Sequence, residues 1–441
     1  MTSTAAMSSH DRISPSLNAL KSPDRGSFRG PGRCLGGAMC GKRSPWFCVV
    51  VCASHQASLR TDPTAGRGAP RPCRRGPDPG ATDRPQIGAS RSGYRENPGT
   101  LPRMAAVDDD LGVSVVVCAY TEKRWMLTRA ALDSALHQSP RPQQVMLVVD
   151  HNAGLAATAR RELTGVTVLE SDGTRGLSGA RNTGLKAATQ PVTVFLDDDA
   201  EARPGWLESL VQPYSSPDVV ATGGSVHPRW PGRRPRWLPP EFDWVVGCSY
   251  RGLPETVSVV RNPIGASMSL RTSLALEAGG FDDAVGRVGT SPRGCEETEL
   301  AIRLTASRPG SVIFYVPAAA VDHHVSADRL RFGYFVSRCW HEGLSKADVV
   351  RMVGSSAGLE RERRHTAVVI PAALMRELRS LAAGDAGAGM RMAATITGLS
   401  TVVAGYFTGR ARLTGRSRKP SRPPLAGSIR PAVRSAAAPE E

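Results

Sequence analysis

Pro191-Val192-Thr193-Val194-Phe195-Leu196-Asp197-Asp198-Asp199 joins an apolar run to three consecutive carboxylates. A run of that length and β-branched content reads as a buried strand. Packing gives a buried strand no reason to end in three acids, because unpaired carboxylates next to a core are costly. Alternate residues of an extended chain point the same way, so Asp197 and Asp199 can face one point beyond the sheet edge. Two convergent carboxylates, with the phosphate oxygens of a bound diphosphate completing the shell, suit Mg²⁺ or Mn²⁺. Glu201-Ala202-Arg203-Pro204 follows, so a solvated acidic turn or a helix N-cap is the competing reading.

The pattern on either side of this strand alternates between periods of 2 and 3.6. Val113–Cys118, Gln144–Val149 and Val166–Glu170 read as strands; Leu127–His137 and Ser178–Ala188 read as helices. The expected class is α/β, a mainly parallel sheet with flanking helices and right-handed crossovers. Ligands of such sheets sit beyond the carboxyl ends of the strands. Tyr120-Thr121-Glu122, Asp150-His151-Asn152 and Asp197–Asp199 fall there, and three such clusters in succession exceed what loop chemistry alone explains.

Further on, Val257–Val260 and Ile264–Leu270 look extended, Cys295–Ala306 helical, and Ser311–Val316 with Ala318–Val321 strand-like. Arg329–Glu342 reads as an amphipathic helix. Ala393–Phe407 is apolar over about fifteen residues, short of the roughly twenty that span a bilayer. A buried helix and an interfacial one are the two readings there.

The expected organisation is a basic, disordered extension over 1–107, one α/β domain over 108–350, a helical extension over 351–408, and a disordered basic tail over 409–441. Met104 precedes an acidic cap and the regular pattern, which makes it an alternative start. Activity and thermal stability of a chain begun at Met104 would test that, and a large loss of either would count against it. Trp46–Ala53 is apolar but too short to cross a bilayer.

The chain has 441 residues and a net charge of +16. Residues 1–103 hold 16 Lys/Arg and 6 Asp/Glu, and residues 409–441 hold 8 and 2. The stretch between is near neutral, which argues against a specific nucleic-acid groove. The tails suit contact with an anionic membrane or an anionic polymer. Five of the nine cysteines precede residue 74, and no paired CxxC spacing occurs. A reducing cytoplasm is the expected compartment, with peripheral contact at the inner face of the membrane.

Gly173-Thr174-Arg175-Gly176-Leu177-Ser178-Gly179-Ala180-Arg181-Asn182 is a glycine-rich loop entering a helix, with Ser178 placed to cap it. Glycines admit close backbone approach, helix N-termini favour anions, and Arg175 and Arg181 add positive charge. It matches neither GxxxxGK[ST] nor GxGxxG. A tight turn with a solvated arginine pair is the alternative.

The order Ala119-Tyr120-Thr121, Asp150-His151-Asn152, Gly176 to Gly184, then Phe195-Leu196-Asp197-Asp198-Asp199 resembles family 2 glycosyltransferases of the GT-A fold, in their bacterial type. Gly265-Ala266-Ser267-Met268-Ser269-Leu270-Arg271 and Glu277-Ala278-Gly279-Gly280-Phe281-Asp282 extend the match. Glu296-Glu297-Thr298-Glu299-Leu300 is similar to that family's Glu-Asp-x-Asp-Leu motif. Val321-Asp322-His323 and Glu342-Gly343-Leu344-Ser345-Lys346-Ala347 carry it to about residue 347.

The resemblance implies a nucleotide-diphosphate-sugar donor, a hydroxyl acceptor (saccharide, lipid or metabolite), a divalent metal, and inverting transfer of a hexose-type sugar. It makes Asp197 and Asp199 the metal pair, with His323 completing the site and His324 the adjacent alternative. Asp198 then contacts ribose or sugar hydroxyls. Tyr120, Thr121, Asp150 and Asn152 fall at positions for base and ribose, and Arg181 and Asn182 lie near the donor. Synthesis of cell-envelope polysaccharide, of glycolipid or of a secondary metabolite is the implied context.

A carboxylate must also take the acceptor proton. Glu297 begins a stripe with Leu300, Ala301 and Leu304, whereas Glu296 shares a side with Glu299 and Arg303, an i,i+4 pair. Glu297 is therefore the expected base and Glu296 its neighbour. Acids favoured in a first helical turn by the macrodipole are the plain alternative. Trp230, Trp237 and Trp244 offer either a sugar-stacking platform or packing. Arg338 and His341 read as solvated or as phosphate or acceptor contacts.

Two rivals remain at this level. A sugar-1-phosphate nucleotidyltransferase would carry a Gly-rich, basic loop after the first strand, where Ala119-Tyr120-Thr121-Glu122 stands. A non-catalytic envelope-binding protein of the same fold would ignore metal and donor.

Overall fold

A computed structural model describes residues 111–414, apart from 285, 287–293, 355–358, 360–361 and 364. The expectations for residues 1–107 and for the tail from 415 onward lie outside the described residues.

The sheet grows from β1, Val113–Ala119, whose residues alternate between its two faces. Val113, Val115 and Val117 enter one core cluster and Val116 the other. β1 pairs in parallel with β2, Gln144–Val149, on one side and with β4, Val192–Asp197, on the other. β3, Thr167–Glu170, adds to β2, also in parallel. α1, Trp125–Leu136, and α2, Ala153–Glu162, help cover one face; α3, Leu177–Ala187, lies against the other.

Beyond β4 the sheet is mixed. β8, Ser267–Arg271, runs antiparallel to β4, and β6, Val219–Arg229, antiparallel to β8. β9, Val312–His324, is parallel to β6, and the short β5, Ala200–Ala202, is antiparallel to β9. The order is β3-β2-β1-β4-β8-β6-β9-β5, with β7, Ser258–Val259, also paired to β9. The strands of the parallel half and the extended runs at β7, β8 and β9 match the sequence expectation; β5, β6 and the antiparallel pairings do not appear in it.

The two strand-like runs around Pro317 form one strand. Val316 pairs with Gly224 and Ala320 with Ser225, so the residues between them bulge. Proline lacks the N–H for a ladder bond and is accommodated at such a break.

The topology delivers the site. β4, β6 and β9 all run the same way, so Asp197 and His323 emerge at one edge. β5 then turns back along β9 and pairs Ala200 with His323, and His324 N–H donates to the Asp199 carbonyl at 2.8 Å.

Three further helices complete the described chain after α4, Trp206–Val211, α5, Thr272–Glu277, and α6, Glu296–Ser307. They are α7, Phe332–Val353, α8, Ile370–Ala382, and α9, Ala386–Thr414. α9 packs along α7 at Gly343 and Gly405, where a Cβ on either would run into the other helix's backbone. Residues 409–414, read as tail, continue α9, because Gly409 still lies against Ala347 and Leu344. No helix among the described residues is long and apolar enough to cross a membrane.

Candidate active site

α3 is entered through Gly176, whose φ of 128° suits glycine and few other residues. Its N–H donates to Asp150 Oδ2 at 3.0 Å, so the end of β2 anchors the glycine-rich loop. Gly176 is therefore the residue before the helix; Ser178, expected as the cap, lies inside the first turn. Arg175 donates to the His151 carbonyl.

The first turns of α3 place Arg181 beneath the sheet edge, 2 % exposed. Its Nη1 donates to Glu296 Oε1 at 2.9 Å, and its Nη2 donates to Asp197 Oδ1 at 3.3 Å and the Gly265 carbonyl at 3.1 Å. One guanidinium thus joins the acidic end of β4 to the start of α6. Phe195 and Phe281 flank it.

Asp197, Asp199 and His323 each bring one ligand atom to within 4.8 Å of the others. His323 is buried, with Nε2 3.2 Å from Asp199 Oδ1 and Nδ1 3.7 Å from the Cys248 thiol. Asp199 Oδ2 meets Arg124 at 2.6 Å and Arg329 at 3.5 Å. Burial pushes Asp199 up, but His323, Arg329 and Arg124 outweigh it and hold the carboxyl far below its usual range. Burial, then the Asp199 charge, pushes neighbouring Asp198 up. Asp198 Oδ1 lies 3.0 Å from Arg124, and its buried Oδ2 has no partner among the described residues.

This donor set fits a hard or borderline divalent cation: two carboxylates and an imidazole converge, with a further carboxylate oxygen unsatisfied beside them. Asp197, Asp199 and His323 would hold it. His324, the alternative ligand, instead faces Glu201 at 3.5 Å.

Glu296 departs from the helical-wheel reading. It was expected on an outer side with Glu299 and Arg303, yet Glu296 and Glu299 are both buried. The Glu299–Arg303 pair forms at 2.6 Å, but Arg303 also donates to the carbonyls of Ala278 and Gly280. The 278–281 segment thereby covers that side of α6. Glu296 Oε2 is buried without a partner among the described residues, and Glu297 is half-buried. Burial, then the Glu296 charge, raises Glu297 to about 7.

Asn182, Asn152 and Thr121, three further expected donor contacts, have side-chain polar atoms engaged within the protein. Asn182 donates to the Phe281 carbonyl and accepts the Phe281 N–H, both at 2.8 Å, which makes it a tether for that loop. Asn152 caps α2 by accepting from Leu155 N–H and donates to the Tyr120 carbonyl. Thr121 caps the turn Glu122–Arg124. Tyr120 stays exposed, with Arg124 5.0 Å from its ring centroid.

Trp230, Trp237 and Trp244 pack around Leu238, Phe242 and Phe335, so packing is the arrangement found. Arg338 is largely buried over Trp244 and pairs with Glu342 at 2.8 Å, while the His341 ring meets the Ser337 carbonyl. Neither is the solvated group the helix pattern offered.

Sequence reasoning missed Arg124 and Arg329. Arg124 sits just past the polar end of β1, a visible signal. Arg329 reaches the site only because the turn Ala327–Leu330 folds back, donating to the Val246 carbonyl at 3.1 Å.

Residues 114–275 match the model of the family described as Glycosyl transferase family 2. Over 238 residues the chain is 36% identical to the glucosyl-dolichyl phosphate glucuronosyltransferase of Haloferax volcanii, covering 53% of this chain and 76% of the relative. It is 30% identical over 162 residues to the pre-mycofactocin glycosyltransferase of Mycobacterium tuberculosis, covering 36% of this chain and 32% of that one. A solved mannosyltransferase from Pyrobaculum calidifontis, in complex with GDP-Man and Mn²⁺, superposes with a TM-score of 0.43 at 19% identity, over 68% of this chain and 86% of that one.

The family match and the relative from Haloferax volcanii make the class of this protein a glycosyltransferase. The chain belongs to glycosyltransferase family 2.

Proposed function

We propose that the chain is a metal-dependent inverting transferase that moves a hexose-type sugar from a nucleotide-diphosphate donor to a saccharide hydroxyl carried on a lipid. The observation that carries the reading is the convergence of Asp197, Asp199 and His323 at the edge where Arg181 also reaches Glu296. The lipid-linked acceptor is supported by the likeness to the Haloferax volcanii glucuronosyltransferase, whose name specifies such an acceptor.

A divalent cation, when bound, offsets charge that builds on the leaving diphosphate. Arg181 holds Asp197 and Glu296 in fixed relation, so donor and acceptor sides stay in register. Tyr120 and Asp150, at the carboxyl ends of β1 and β2, are the residues assigned to base and ribose. Glu297 takes the acceptor hydroxyl proton as the hydroxyl attacks the anomeric carbon, and its raised pKa suits it to accept that proton near neutrality. Glu296, locked to Arg181, orients the start of α6.

The test is donor turnover by purified protein with a panel of UDP- and GDP-sugars, UDP-glucuronate included, with and without Mn²⁺. The expected result is turnover of one donor class that chelation abolishes and Asp199→Asn removes. Protein that binds no nucleotide sugar and ignores metal would overturn the reading in favour of a non-catalytic binding protein.

A further inference from the structure

Of the twelve large hydrophobic side chains that stand exposed among the described residues, seven fall between Val368 and Phe407, so the exposure is concentrated rather than scattered. In α8 and the turn before it, the exposed Val368 and Met375 lie opposite the buried Ile370, Ala373 and Glu377, and the exposed Leu378 lies on the flank between the two faces. In α9, Ile396 and Phe407 lie opposite Gly398 and Gly405, the side packed on Phe335 and α7. Each helix therefore has one face in the fold and one apolar face outside it.

The charge around these faces is net positive. Residues 370–414 contain five arginines and two acids, Glu377 and Asp385. Both acids are paired with Arg391, and Glu377 also with Arg376. Arg379, Arg410 and Arg412 are exposed and make no ion pair among the described residues. Arg416, Arg418, Lys419 and Arg422 follow in the sequence. A second copy docked on this face by two-fold symmetry would set the basic rim against itself. The complementary partner is apolar within and negative at its surface.

We propose that the outer faces of α8 and α9 rest on an anionic lipid membrane. The apolar row enters the boundary between headgroups and acyl chains, and Arg379, Arg410 and Arg412 meet lipid phosphates. No described helix can span, so the attachment is interfacial. This inference rests on the two helices and stands apart from the sugar-transfer reading.

The experiment is flotation of the full chain with vesicles, either pure phosphatidylcholine or an equal mixture with phosphatidylglycerol. Flotation is expected with the mixture, weakly or not at all with phosphatidylcholine, and it should fade as salt rises. The double variant Met375→Glu/Ile396→Glu should lose flotation while keeping the parent's unfolding temperature and its donor turnover without vesicles. Arg379→Glu/Arg410→Glu should lose the preference for the anionic mixture. A parent that stays with the soluble fraction, or a Met375→Glu/Ile396→Glu variant that floats like the parent, overturns the proposal. So does a parent dimer in sedimentation that this variant dissociates. Loss of donor turnover with flotation intact would instead count against the active-site reading alone.

Discussion

Arg181 and Glu296 form a buried ion pair at 2.9 Å, and it ties α3 to the helix that carries the expected base. The same guanidinium lies 3.3 Å from Asp197, so removing it breaks both contacts at once. Removing one partner of a buried pair leaves an uncompensated charge, typically at ~3–5 kcal/mol. Arg181→Met is expected to lower stability by that order and to abolish turnover. Arg181→Lys keeps a charge but cannot span both carboxylates with planar geometry, so it should recover stability better than activity. Denaturant unfolding and initial rates on the same preparations check the split.

Glu297 gives the pH dependence its sign. Burial and the Glu296 charge raise it from 4.5 to about 7. A base must be deprotonated, so turnover should rise with pH through about 7. Glu297→Gln should remove that limb and lower the rate by a factor on the order of 10² to 10⁴. Its effect on stability runs the other way. The folded protein binds the proton more tightly than the unfolded chain, so this group's stabilisation is complete below pH 4.5 and disappears as pH climbs through about 7. A pH–rate profile beside pH-dependent unfolding of both proteins checks both signs; an unchanged limb in the Gln variant would remove Glu297 as the base.

The parallel half of the sheet was legible because Val113–Cys118, Gln144–Val149 and Val192–Leu196 are short, largely apolar runs rich in β-branched residues, as a strand buried on both faces requires. The acidic edge was legible for the same reason, since Asp197–Asp199 end such a run. The rest depended on partners distant in sequence. A helical wheel shows one face of α6, but Glu296 is buried on another, which Arg303 closes by reaching the carbonyls of Ala278 and Gly280. Asn182 looked like a donor contact until Phe281 took both ends of its amide. Arg329 is one turn past β9 in sequence, and no local pattern says that the turn folds back over His323.

Asp199 meets Arg124, His323 and Arg329, and a divalent cation would compete with them for its carboxylate, which makes it sensitive to metal in a readable way. Mn²⁺ that binds the native state should raise its stability, by ~2.7 kcal/mol at a hundredfold excess over Kd. In Asp199→Asn that shift should vanish, because a neutral amide offers a cation far less than a carboxylate. A thermal-shift titration with Mn²⁺ alone, before any donor is added, separates metal binding from catalysis. An undiminished shift in the variant would place the ion elsewhere.

Lys346 holds together a buried ionic cluster behind α6. Its Nζ lies 2.7 Å from Glu362 and 3.3 Å from Glu342, while Arg261 grips Glu362 and Arg338 grips Glu342. The Cys295 thiol at the head of α6 donates to Glu342 at 3.6 Å. Burial raises Glu342, yet Lys346 and Arg338 pull harder and bring it down to about 2. Its contribution to stability is thus present above pH 4.5 and is lost as pH falls through about 2. Lys346→Met strips both glutamates of a shared cation, and destabilisation of ~3–5 kcal/mol is expected at neutral pH. Because Glu342 then protonates more readily, the acid limb of the unfolding curve should begin at higher pH in the variant. Urea unfolding from neutral pH down to the acid transition checks both. A variant as stable as the parent, with the same acid limb, would mean that Arg261 and Arg338 suffice to neutralise the two carboxylates.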